Sequence, residues 1–537
     1  MAARSLPLPA SPGATATERR PRARSLSWPL FAGLGAMLGV ALPVLIHPYL
    51  PLVDLPNHIA RHHIAAVTGG PLTEYYAYTA ALVPNSAADL LWALIGMPGD
   101  AAAFSRWVMA SAAALLVLAA MALGRVLHGR WTAWPAAAGL VAYNANFLWG
   151  FENYALSAPF AILGLAGWIG LERRPVRLRL AVFVPAAFLL YLMHFFAFAA
   201  LALMAFGREA QVLAETPAGR RRPQAGRMAI LSLPFVVPVI GQAVMAAGNP
   251  GPGQGFTRMP DLIERIWALL SPFSDLCNLD ASPDLAVAAL SAGLVAAAMT
   301  LLLRRHGARL ALARPAIGPL VALTVGAALS PSWLNGVALV HLRFPFLVVA
   351  LLFAGTRWVD LGRRQALLGV TVVVALFAGR GVVFEREAAR YSGEMTTMLR
   401  LLEALPEGSR LLPVRAPGAA YDRRFWHPQG LAVNYRDSFV PTLFQGVHAI
   451  RVLPAWRDSA IEVGIAPDIL STVFPDEDMP YLTDWQRKFT HVLLLDDDRR
   501  AAAAFAQLQE IGRNGRFTLY RVTTADAAPL ASPRPGR

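Results

Sequence analysis

The chain has 537 residues, of which 56% are hydrophobic and only 15% charged, and its mean hydropathy is +0.45. A soluble protein carries about 25% charged residues, so a soluble globular class is excluded and a polytopic membrane protein is implied. The net charge of +14 does not point to nucleic acid, because it is almost wholly arginine (Lys488 is the sole lysine) and falls in short loops between apolar blocks, the positive-inside pattern that orients membrane proteins.

Residues 1–28 form a basic, Pro- and Ala-rich tail containing Arg19, Arg20, Arg22 and Arg24. They read as a disordered cytoplasmic extension ahead of an uncleaved anchor. An all-α membrane domain is expected over 29–384. Its apolar segments fall near 29–48, 103–124, 131–149, 153–171, 181–193, 195–206, 227–247, 284–303, 315–331, 337–356 and 365–383, about eleven transmembrane helices. With the N-terminus inside, eleven spans bring every arginine cluster (Arg125/Arg130, Arg173–Arg179, Arg220–Arg227, Arg304–Arg314, Arg357–Arg364) to one face. Treating 178–206 as one span would scatter the last three clusters, so a hairpin broken at His194 is expected.

The first outer loop covers 49–102. Within it, 85–97 is apolar but too short to cross, which suggests an interfacial helix with Trp92 at headgroup level. Cys277 stands alone, so no intrachain disulfide can form. From about residue 385 charged residues return. "SRLLPV", "THVLLLD" and "FTLYRV" read as strands and "RRAAAAFAQLQEIG" as helix, giving a small extracytoplasmic α/β domain over 385–525 and a disordered Pro-rich tail over 526–537. No internal repeat suggests the paired halves of a transporter.

The chemistry concentrates in "PLVDLPNHIARHH", Pro51 to His63. One reading is structural: Asp54 caps a helix that Pro56 starts. Ile59, Ile64 and Val67 then face lipid, while Arg61 and the histidines meet headgroups. A second reading is a metal site, since Asp54, His58 and His62 lie four apart on one helical face and could bind Zn²⁺ with the fourth position open. A divalent metal is thus compatible, though no cofactor is required.

The third reading rests on resemblance. The order Asp54, then "HIARHHIAAVTGG", is similar to the "DE..H...A....G" run of the polytopic GT-C glycosyltransferases, with Leu55 where a second acidic residue would stand. "NFLWGFENYAL" sets Glu152 at the outer end of the third span, and "LYLMHFFAF" sets His194 at an outer turn. "VHLRFPFLVVALLFAG" resembles their late "RY.LP..P.L.L" pattern, with Arg343 in the Arg position and Phe344 replacing Tyr. The resemblance implies a GT-C-like membrane domain and inverting transfer of a hexosyl or pentosyl group. The donor would be a polyprenyl-phosphate-linked sugar, and the acceptor a glycan, lipid or protein of the cell envelope. Transfer would occur on the outer face of a bacterial-type inner membrane. Asp54 and Glu152 would be catalytic, and His58, His194 and Arg343 would bind substrate.

Elementary chemistry agrees on the residue types. The acceptor hydroxyl needs a base, whereas the lipid phosphate leaves already charged and needs cations. Arg343 inside an apolar segment costs about 2.5–3.5 kcal/mol unless paired or wetted, so it either serves a function or pairs with Asp54 or Glu152. Two rivals remain: a non-catalytic envelope-glycan scaffold, for which Leu55 argues, and a transporter. "YDRRFWHPQG" and "VFPDEDMPYLTDW" have the polar-aromatic composition of carbohydrate sites and, equally, of ordinary loops; the ordinary reading is favoured.

Overall fold

In hydrocarbon every peptide N–H and C=O must be bonded within the chain, so an apolar sequence of this length resolves into helices. The computed structural model describes residues 27–79, 83–247, 256–274, 283–416, 422–445, 450–461, 464–473, 479–496, 505 and 508–523. The two tails (save Ser27 and Trp28), Cys277 and residues 474–478 lie outside these. Among the described residues, six helices have the length and apolarity to cross a bilayer: Trp28–Ile46, Ala101–His128, Val176–Met193, Phe195–Glu215, Ala218–Gly241 and Arg363–Leu402. The chain is a multi-pass membrane protein.

The eleven regular spans expected from hydropathy are not all regular. The 131–149 block runs through the bundle as a 3₁₀ helix, Trp134–Val141, followed by a single α-turn, Ala145–Leu148. Pro135 sits at its first turn, and a Cβ on Gly139 would lie 2.6 Å from the Phe377 ring, so the segment is wedged rather than free. A 3₁₀ helix rises about 2.0 Å per residue, which carries a short run further than an α-helix would. Its ends mark the two ends of the bundle: Trp134 bonds Thr356 and packs on Trp358, while Trp149 packs on Trp426.

The arginine clusters gather at one end. Arg208 pairs with Glu172, Arg314 with Glu215 and Arg309 with Asp360; Arg227 donates to the Glu172 carbonyl. The antiparallel strands Arg309–Leu312 and Thr356–Val359 tie two of these turns together. The 178–206 region is two helices that meet at His194. Arg179, near the start of the first, bonds Glu209, near the end of the second, at 2.8 Å, so the pair runs antiparallel, as a hairpin requires.

The opposite end is built on one continuous helix, Arg363–Leu402. At 1.5 Å per residue its 40 residues span about 60 Å. Leu367 and Val374 in its first half are exposed, whereas Phe384, Ala388, Tyr391, Met395, Met398 and Leu402 are buried at alternating spacings of four and three, one face of a helix. The change of composition near 385 therefore marks the start of this stripe, inside the helix. A four-stranded sheet lies at this end, in the order Gln509–Asn514, Phe517–Arg521, His491–Leu494, Leu411–Val414; only the last pair is parallel. The three stretches read as strands coincide with three of these. The stretch read as a helix does not: residues 509–512 form the edge strand, paired along Phe517–Arg521, and residues 499–504, 506 and 507 lie outside the described residues.

Candidate active site

The opening motif folds into the helix Leu55–Ala66, started by Pro56 in its first turn. Two glycines fix where it begins. Gly150 has φ +74°, and a Cβ there would come within 2.9 Å of the Leu55 nitrogen; a Cβ on Gly430 would stand 2.7 Å from the Pro56 carbonyl oxygen. The Asp54 amide donates to the Trp149 carbonyl at 2.9 Å. The helix start is thus clamped between the residues just after the α-turn Ala145–Leu148 and the helix Gly430–Arg436.

Asp54 occupies the cap position, but its carboxylate makes no cap hydrogen bond, against the structural expectation. The side chain is 13% exposed and has His427 Nε2 at 3.7 Å from Oδ1. Burial pushes the carboxyl up to about 7, and the nearby Arg343 charge pulls the other way. The acid is therefore held in a dry place beside a cation, neither spent on backbone nor released to solvent.

Arg343 is held in the same region by its flanking residues. Asn146 donates to the Leu342 carbonyl at 2.7 Å, and the Tyr154 hydroxyl donates to the carbonyl of Arg343 itself. Its guanidinium lies 3.8 Å from the Phe151 ring centroid and 5.1 Å from that of Tyr154. The Nε is buried without a partner, and among the described residues Arg343 has no ion pair within 4 Å. His194 packs on Tyr154 at 4.8 Å, and its Nδ1 accepts from the Phe196 amide at 3.1 Å. An acceptor Nδ1 carries no proton, so the ring is a neutral helix cap with only Nε2–H to offer.

Glu152 and His58 fall in a second, sealed cluster. Glu152 is fully buried, accepts from His62 Nε2 at 2.9 Å and lies 3.8 Å from His58 Nδ1. Beside them Arg61 and Asp89 form a buried bidentate pair, so Arg61 is not a headgroup contact. Burial holds Arg61 down to about 10 and His58 down to about 4; at neutral pH the first is charged and the second is not. Trp92 is also inside, its Nε1 donating to the His62 carbonyl at 3.0 Å, while Leu94 and Ile95 take the exposed face expected of it. The Leu55–Ala66 helix consequently has no lipid face at Ile59 or Ile64; both are buried. The three potential metal ligands diverge, the histidines toward Glu152 and Asp54 toward His427 and Arg343, and no group of three or more His, Cys, Asp or Glu able to hold an ion occurs among the described residues.

No family model matches the chain, and no curated protein matches it. Among solved structures it is similar to ArnT from Cupriavidus metallidurans bound to undecaprenyl phosphate, at TM-score 0.50 and 13% identity, over 95% of this chain and 100% of the other. The apo form of that protein aligns at TM-score 0.49 and 14% identity, over 94% and 99%. This chain shares that fold.

Within that fold, the sequence undervalued one stretch. "YDRRFWHPQG" reads as ordinary loop, yet it brings His427 to Asp54 and sets Arg423 beside a pair of indoles, 5.3 Å from the Trp149 ring and 5.4 Å from that of Trp426. Arg424 anchors the stretch by bonding Glu387 of the long helix at 2.8 Å as well as Asp422. The available signal was a histidine and two arginines amid aromatics; nothing local told which of them faces the first loop.

Proposed function

We propose that this protein is a glycosyltransferase that moves a sugar from a polyprenyl-phosphate carrier to an acceptor, with Asp54 as the general base. The observation that supports this best is the state of Asp54: a nearly buried carboxylate at a helix start, free of capping duty, facing Arg343 and His427. A carboxyl titrating near 7 is well matched to a base working near neutrality. In the proposed step Asp54 takes the proton of the acceptor hydroxyl and the acceptor oxygen bonds to C1. The C1–O bond to phosphate breaks with its electron pair on the carrier, and the anomeric centre inverts. Arg343, stacked on rings rather than neutralised by an acid, offers its charge to the departing phosphate. His194 donates from Nε2, and Glu152 with His58 braces the helix that carries Asp54 rather than touching the sugar.

The neighbour bound to undecaprenyl phosphate makes a polyprenyl phosphate the natural carrier class for this fold. The arginine-rich end would then be cytoplasmic, with the N-terminus, and the end carrying Asp54 and the sheet extracytoplasmic, in a bacterial-type inner membrane. On this proposal residues 385–525 form the extracytoplasmic α/β domain, with 29–384 the membrane domain. Transfer of radiolabelled sugar from the polyprenyl-linked pool to envelope material tests the reading. Asp54→Asn should abolish it while the protein still accumulates in the membrane; retained transfer refutes it. Leu55, which is packed in the core where an acid was expected, favours the scaffold alternative, and that alternative predicts the retained outcome.

A further inference from the structure

The stretch preceding the helix Gly430–Arg436 does more than cover the site. We propose that His427 is a positioning residue that, as a neutral Nε2–H donor, orients the Asp54 carboxylate and sets its ionisation. The inference rests on the reading of Asp54 as the base.

The tautomer follows from the surroundings. Nδ1 of His427 is buried without a partner, and Nε2 lies 3.7 Å from Asp54 Oδ1. A proton on Nδ1 would be an unsatisfied buried donor and would turn a lone pair toward a carboxylate, two unfavourable contacts at once. With the proton on Nε2, the donor is on the side of the acid, about half an ångström beyond ordinary hydrogen-bond length. Such contacts are often long in an empty site and shorten with substrate.

Protonating both nitrogens is opposed from two sides. Burial is the main opposing cause, the Arg415 charge adds to it, and the imidazole is pushed down to about 3. His427 cannot therefore compete with Asp54 as a base; it can only donate. The groups bearing on the pair come from every adjoining element. Arg343 faces Asp54, Arg415 and His58 face His427, and His58 is in turn faced by Glu152, Arg61 and His62. The rings of His427 and His58 both pack edge-on with Phe444, at 5.0 and 6.4 Å, which restrains the imidazole. The Glu387–Arg424 bond three residues upstream holds the backbone that carries it.

A hydrogen bond donated to the ionised acid favours ionisation, so its removal should raise the midpoint at which Asp54 titrates. The full-length protein in lipid nanodiscs can be titrated by infrared difference spectroscopy, with the Asp54→Asn protein subtracted to isolate the carboxyl band. The midpoint should lie near 7 in the parent, rise by about one pH unit in His427→Phe, and return to within a few tenths in His427→Gln, whose amide can donate from the same position. An unchanged midpoint in a folded His427→Phe overturns the proposal. So does a His427→Gln protein that behaves like His427→Phe. Because this readout needs no sugar donor, it separates from the functional reading: Asp54→Asn retaining transfer would refute catalysis and leave the His427–Asp54 coupling standing.

Discussion

The two ends of the bundle differ in what they leave their arginines free to do. At the cluster-rich end the arginines are matched: Arg179 with Glu209, Arg208 with Glu172, Arg314 with Glu215, Arg309 with Asp360. At the other end Arg61 and Arg424 are matched too, with Asp89 and Glu387, but Arg343 and Arg423 lie against aromatic rings, and among the described residues neither of these two has an acid within 4 Å. Paired charges hold helices in register and give little to a ligand. A cation kept on a ring stays available to an anion that arrives later. The difference separates charges that serve topology from charges that serve chemistry.

That contrast can be broken most severely at Asp54. Asp54→Asn should lower transfer by about a thousandfold or more, within the range for removal of a general base. Its stability should rise, not fall. Because burial raises the folded carboxyl to about 7, the native state holds a proton that the unfolded chain gives up at lower pH, so stability declines as pH climbs from the ordinary carboxylate range to about 7. The variant escapes this and should be more stable by up to about 4 kcal/mol at pH 8, read as a higher Tm in nanodiscs. The parent's rate should move the other way with pH, climbing through about 7 to a plateau as the base ionises.

Arg343→Leu comes next. It should reduce kcat/KM for transfer about a hundredfold, while stability changes by only about 1–2 kcal/mol, the scale of a desolvated cation–π contact. The reverse profile is expected at the matched end. Glu209→Gln leaves Arg179 charged and buried, so stability should drop by about 3 kcal/mol with transfer per folded molecule unchanged. Arg309→Ala, at a pair exposed on both sides, should shift Tm by less than about 1 °C, since such pairs contribute well under 1 kcal/mol. A stability loss at Arg343 as large as that at Glu209 would erase the distinction.

Much of the architecture was readable because lipid imposes a strict demand on sequence. The arginine count alone settled the hairpin at His194, since only that choice gathers Arg220–Arg227 and Arg304–Arg314 with the rest. The 3₁₀ passage was not readable: Pro135 and Gly139 look like tolerated residues in an apolar run, and the ring that crowds Gly139 belongs to Phe377, far along the chain. At the site, Asp54 and Arg343 were legible because each is an isolated charge against apolar neighbours. Glu152 and His58 carried the same local signal but turned inward to His62. Arg61 looked like a surface residue until Asp89, 28 positions away, was folded beside it. His427 was lost for the same reason at greater range, its partner lying in the first loop.

The uninterrupted helix Arg363–Leu402 makes the bilayer a reference plane for the site. Glu387 on its shaft grips Arg424, and Arg424 belongs to the stretch whose His427 meets Asp54. Depth in the lipid is thereby transmitted along a rigid rod to the position of one imidazole. A single residue inserted near Gly379 would swivel everything beyond it by about 100°. It would also slide Glu387 along the axis, leaving the lipid-facing half undisturbed while the upper half lost its alignment.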